Sequence, residues 1–203
     1  MAEFSIAYAP VKKFESGYVN ILADRGGETY NGCARNFFGS WPGWVIIDKV
    51  KSHSSFKQGT RVFTKYLDSI SELQVLLDNW YKSEWWDKLG LAALPQLLAN
   101  EIFEEVVNLG KSGAGRYVQR VCNAFNYNSS TGATYFTDLV VDGAIGPKTI
   151  NALSTILKLK TTEKELVHAL NCMQGAHYIN LASDKQSQRL FTIGWMSRTK
   201  CEV

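Results

Sequence analysis

Apolar residues recur at three- and four-residue steps along most of this chain, a period that is buried only when helices pack face to face. Phe4, Ala7, Val11 and Phe14 form the first stripe, with Pro10 as a candidate kink. Leu73, Leu76, Leu77, Trp80 and Tyr81 form a second, opened by Ser71-Glu72-Leu73-Gln74 in the pattern of a capping box and ending near residues 83–86. A third begins at Pro95 and carries Leu98, Ile102, Phe103, Val106 and Leu109 on one side, with Gly110 as its stop. It is the predicted central helix. After the small, polar stretch 111–115, helical signals return over 117–125, 147–158, 163–182 and 186–192, with Thr162 and Glu165 as another capping box. The period breaks between residues 16 and 62 into Gly, Asn, Asp, Trp and Pro, a composition suited to loops or short strands that line a cleft. The predicted fold class is therefore mainly α, with a domain over 1–110 and a helical region over 111–203.

Composition narrows the function classes. With 45% hydrophobic and 20% charged residues, the chain has a globular composition, not a disordered one. A net charge of +3 fits weak attraction to an anionic polymer but not the clustered basic surface of a nucleic-acid binder. No apolar run is long enough to span a bilayer, and the N-terminal stripe lacks the basic-then-apolar layout of a secretory signal. Cytoplasmic synthesis without stable membrane insertion is expected. Cys33, Cys122, Cys172 and Cys201 have neither zinc-ligand spacing nor the density of a disulfide framework, so they are expected to be reduced thiols without a metal. His53, His168 and His177 show no pattern of a triad or metal site.

The chemistry concentrates between Phe14 and Tyr30. Glu15 stands at the end of the first apolar helix, ahead of a glycine-rich turn that carries Asp24. A carboxyl leaving an apolar helix beside Gly17 and Tyr18 can hold its proton near neutral pH and give it to a leaving oxygen, as a glycosidase acid must. Asp24 has two compatible readings: it orients water or offsets positive charge, or it starts the turn made by Gly26 and Gly27. Thr29 and Tyr30 are candidates for holding the attacking water or a sugar, and Tyr18 for packing against the acid and raising its pKa. Trp41, Trp44, Trp85 and Trp86 suit either the faces on which sugar rings lie or the core.

Glu15-Ser16-Gly17-Tyr18 and Asp24-x-Gly26-Gly27-Glu28-Thr29-Tyr30-x-Gly32 resemble the Glu-Gly-Gly-Tyr and Asp-x-Gly-Gly-x-Thr motifs of the phage-type and secretion-associated N-acetylmuramidases, glycoside hydrolase family 108. Trp41-Pro42-Gly43-Trp44, Trp85-Trp86-Asp87-Lys88, the segment from Phe103 to Asn108-Leu109-Gly110, and Gly194-Trp195-Met196-Ser197-Arg198 are also similar to that family. Asp142-Gly143-Ala144-Ile145-Gly146-Pro147-Lys148-Thr149 is similar to the signature of the peptidoglycan-binding region that follows the catalytic part. Ser16 stands where the family usually has glycine, Glu104-Glu105 where an Asp follows the Phe, and Val118 where Leu precedes Gln119.

The resemblance implies a lysozyme-like helical lobe that cleaves the bond between N-acetylmuramic acid and N-acetylglucosamine. Glu15 would be the general acid, with Asp24 and Thr29 beside it, and Tyr18, Tyr30, Trp44 and Asn108 at the substrate. Asn108 before Gly110 also suits a helix C-terminus. No cofactor is implied. The expected partner is bacterial peptidoglycan, reached after lysis or through a holin-like pore or export system, as for a prophage endolysin. A lytic transglycosylase using the same Glu15, and a non-catalytic wall-binding or secretion-accessory protein, are the competing expectations.

Overall fold

The computed structural model describes residues 1–14, 17–21, 24–159 and 163–199. Its secondary structure is 68% helical, with one small sheet. Two compact units emerge, Ala9–Trp85, and Met1–Tyr8 together with Trp86–Val203. Helix α1 (Phe4–Phe14) contributes residues to both.

In the unit Ala9–Trp85 the chain forms β1 (Tyr18–Asn20), β2 (Glu28–Tyr30) and β3 (Cys33–Ala34), an antiparallel sheet in that order. Tyr18 pairs with Tyr30, and Val19 with Thr29. Because successive strand residues point to opposite faces, Tyr18 and Tyr30 share the buried side while Thr29 and Val19 share the other. Helices α2 (Gly43–Val50), α3 (Ser54–Lys57), α4 (Thr60–Asp68) and α5 (Ser71–Tyr81) follow. The broken stretch 16–62 is thus partly helical. Its helices are short, and Trp44 and Ile47 give α2 too brief a stripe to register as a period. The α4 and α5 stripes fill the core with Phe63, Leu67, Leu73, Leu77 and Tyr81, and Tyr18 meets Phe63 edge-on at 4.9 Å.

The capping box at Ser71 does not form. Ile70 holds the cap position, so Ser71 already lies inside α5, and Gln74 donates to Tyr30 Oη at 2.7 Å instead of turning back to its own helix start. This exchanges a local cap for a tertiary bond. The second expected box rests on Thr162, which lies outside the described residues, as does Cys201. Cys33 and Cys122 are buried, and burial pushes both thiols up to about 12. Cys172 is exposed.

The second unit is built on α6 (Gln96–Ala124) against α7 (Pro147–Leu159) and α8 (Glu163–Asp184). Gly110, expected as a stop, does leave helical geometry (φ 76°, ψ 156°), but the helix resumes beyond it and absorbs 111–115. The reason is close packing. A Cβ on Gly115 would stand 2.1 Å from Gly143 O, and one on Gly143 would stand 2.6 Å from Ser112 O, so the small residues there are a contact surface. Gln119 holds the same loop, donating to Asp142 Oδ1 and accepting from Gly143 N, while Thr149 donates to Ala144 O. The Asp142–Thr149 signature thereby clasps a loop onto α6. Across the bundle, Glu163 Oε1 accepts the free first-turn N–H of Leu98, a cap supplied from another helix.

A polar layer lies inside this unit. Glu104 is satisfied, bonded by Gln174 and paired with Arg198 at 2.8 Å. Glu105 has no exposed surface, and among the described residues neither of its oxygens has a partner, nor do Asn171 Oδ1 and Gln174 Oε1. Burial holds Glu105 well above the ordinary 4.5, helped by the charges of Glu101 and Glu104. Burial also lifts Glu101 to about 7, against an opposing bond from Asn171. Both acids bind protons more tightly folded than unfolded. Their contribution is therefore most favourable below about pH 4.5 and is lost as pH rises toward and through the folded values. Glu105→Gln is expected to melt higher than wild type at pH 8 and to match it near pH 4.5, where the raised folded pKa no longer costs stability. Thermal melts at the two pH values test this, and parallel curves would refute it.

Candidate active site

Glu15 and Ser16 lie outside the described residues, and Gly17 follows them directly in the chain. Gly17 has φ +76°, and a Cβ there would strike Thr64 Cγ2 at 2.5 Å. Glycine is required twice over. Asn31 Oδ1 accepts from Gly17 N at 2.8 Å, Asn31 N donates to Gly17 O at 2.9 Å, and Thr64 Oγ1 accepts from Tyr18 N at 2.9 Å. Thr64 itself donates to Thr60 O on α4. The chain two residues past Glu15 is therefore pinned to both the β2–β3 turn and α4.

Between β1 and β2, Asp24 starts a tight turn. Its carbonyl accepts from Gly27 N at 3.0 Å, and its Oδ1 accepts from Gly26 N at 3.4 Å. The carboxylate remains exposed, and a methyl group at Gly26 would stand 3.4 Å from Thr29 Oγ1 and 3.8 Å from Asp24 Oδ2. Asp24 and Thr29 thus converge over Gly26, and Thr29 lies on the sheet face opposite the core. Thr29 Oγ1 donates to Gly27 O at 3.3 Å.

The other expected substrate residues take different positions. Tyr30 has no exposed surface, its hydroxyl donating to Asp68 and accepting from Gln74. Tyr18 is 3% exposed and donates to Glu28 Oε1 at 2.8 Å. Trp44 is 2% exposed, its Nε1 bonded to Phe38 O and its ring beneath the Arg35 guanidinium at 4.3 Å. These three rings form the floor under the hairpin. Trp41 is also buried, at the edge of an aromatic cleft of about 400 Å³ shared with Phe38 and Trp80. Asn108, in the other unit, donates to the Tyr178 hydroxyl on α8.

A charge network that the sequence pattern did not reveal holds the hairpin from behind. Glu28 pairs with Arg35 Nε and Lys51 Nζ, each at 2.8 Å, and Asp48 takes both Arg35 and Lys51 at 2.7 Å. The Arg35 bond holds the Asp48 carboxyl down at about 2. Thr64 and Asn31 carry no mark in the sequence for the same reason as this network, since no local spacing points to their partners, and the local spacing at Gln74 points to a cap instead of to Tyr30.

Residues 8–110 match the family model described as Glycosyl hydrolase 108, which covers half of the chain. The chain belongs to that family. Residues 114–200 match a model described as Predicted Peptidoglycan domain. This glycosidase is an N-acetylmuramidase that acts on peptidoglycan of the cell wall. Among solved structures, Brucella abortus SagA shares its fold with a TM-score of 0.54 at 19% identity, over 97% of this chain and 88% of that one. No curated protein matches the sequence. No described helix of the muramidase is long and apolar enough to cross a membrane.

Proposed function

We propose that Glu15 protonates the glycosidic oxygen between N-acetylmuramic acid and N-acetylglucosamine, with Asp24 and Thr29 managing the water that replaces it. As the C1–O bond breaks, positive charge grows on the sugar ring, and the exposed Asp24 carboxylate opposes it. Thr29 offers a hydroxyl beside that carboxylate to orient the water attacking C1. The observation that supports this reading is the pinning of Gly17 by Asn31 and of Tyr18 by Thr64, which fixes the backbone that follows the Glu15-Ser16 pair in sequence. Tyr18, Tyr30 and Trp44 serve the site from below by fixing the hairpin. Residues 1–110 carry the chemistry in this reading and 111–203 hold the wall, and the enzyme reaches its substrate by lysis, a holin-like pore or an export system, as a prophage endolysin would.

Product analysis tests the reaction. Digestion of peptidoglycan in ¹⁸O-water is expected to give reducing muramic ends carrying one ¹⁸O, whereas anhydro-muramic ends would establish a transglycosylase. Asp24→Asn keeps an oxygen acceptor for Gly26 N but loses the charge, so it is expected to lower lysis by about 10²-fold with little change in melting temperature. Undiminished lysis in that variant would leave Asp24 with its turn role alone.

A further inference from the structure

The second unit contains a pocket of about 340 Å³ where the end of α6 and the following loop meet α7. Phe125, Ile156 and Leu159 supply its apolar wall, Tyr127 and Tyr135 its aromatic rings, and Asn128 and Ser129 its polar rim. None of the described lining residues is charged. Tyr127 is 61% exposed, so its ring is open to a ligand from solvent.

The loop bearing these residues is built to stay fixed. Buried Asn126 makes four bonds across it, donating to Phe136 O and Asp138 Oδ1 and accepting from Tyr135 N and Phe136 N at 2.6–3.0 Å. Asn128 N donates to Ala133 O, and Asn128 Oδ1 accepts from Ser130 N. Rings held on such a frame lose little freedom when they meet a ligand.

We propose that this pocket binds a neutral N-acetylhexosamine of the glycan strand. The inference rests on the reading that residues 111–203 hold the wall. An apolar sugar face suits the tyrosine rings, an acetamido methyl suits Phe125 and Ile156, and the hydroxyls and amide suit Asn128 and Ser129. The peptide stems of the polymer carry carboxylates and amines, and these would enter an uncharged pocket without ion partners. The sugar backbone is therefore the occupant the chemistry selects. Holding one sugar here and cleaving elsewhere gives the enzyme two attachments to the same polymer, which raises its effective concentration on the wall.

The test uses full-length Glu15→Gln protein, an N-acetylglucosamine tetramer as probe, and amide NMR shifts as readout. The tetramer is expected to move resonances of residues 126–136. Tyr127→Ala in the same background is expected to remove those shifts and weaken retention on purified sacculi about tenfold, and Tyr127→Trp to preserve both. Shifts confined to residues 24–34 would overturn this site and leave the muramidase reading intact. A synthetic stem peptide that moves 126–136 when the tetramer does not would overturn the sugar as occupant. Clear shifts at 126–136 without sacculus retention would support the pocket and refute the wall-holding role it rests on.

Discussion

Glu15→Gln is expected to lower the rate of peptidoglycan cleavage by about 10²–10⁴-fold while leaving the fold and the binding of sacculi in place. Glutamine matches the shape of the acid but has no proton to give, so the leaving sugar would depart as an unprotonated alkoxide. Turbidity clearing and soluble muropeptide release measure the loss, and co-sedimentation with sacculi measures the retained binding. Retained cleavage would remove Glu15 from the mechanism. A wild-type protein that binds sacculi but never clears them would instead favour the non-catalytic alternative.

The second large effect is expected at Gly17. Gly17→Ala introduces a methyl group 2.5 Å from Thr64 Cγ2 and 2.7 Å from Thr64 Oγ1, on a backbone at φ +76°. The clash and the unfavourable backbone together are expected to cost about 2–4 kcal/mol of stability, seen as a lower melting temperature. Cleavage is expected to fall further than stability alone explains, because relief of the clash moves the chain two residues from Glu15. Thr64→Ser removes Cγ2 but keeps the hydroxyl that accepts from Tyr18 N and donates to Thr60 O. The double variant is therefore expected to recover part of the loss. A Gly17→Ala protein with wild-type melting and lysis would show that the pinning has no role.

The two expectations differ in how much of their basis was legible in the sequence. Glu15 stands out in the sequence by its position at the end of an apolar stripe, a local pattern, and the long stripes of α5, α6 and α8 are visible for the same reason. Thr64 gave no sign, because nothing near it in sequence tells that its hydroxyl meets Tyr18 N. The short α2 and α3 hide within a stretch of broken period, where the roughly two turns of α2 and single turn of α3 are too few to establish one. The aromatic residues suit either sugar platforms or core, and pattern alone does not choose between them. Tyr30 lies under the sheet because its strand alternates toward α4 and α5, a decision made by tertiary packing. The small residues at 111–115 looked like a linker because close helix contact and flexible linkage select the same residue types.

Two of the glycines described above face different futures under sequence drift. At Gly17 part of the obstacle is the side chain of Thr64, so a smaller residue at position 64 relieves the clash and leaves only the cost of the positive φ for a replacement of the glycine. At Gly115 the obstacle is the carbonyl of Gly143, an atom present whatever residue occupies position 143. No second substitution can clear it. Paired variation among relatives is therefore expected between positions 17 and 64, whereas position 115 is expected to stay glycine for as long as the 142–149 loop stays docked on its helix.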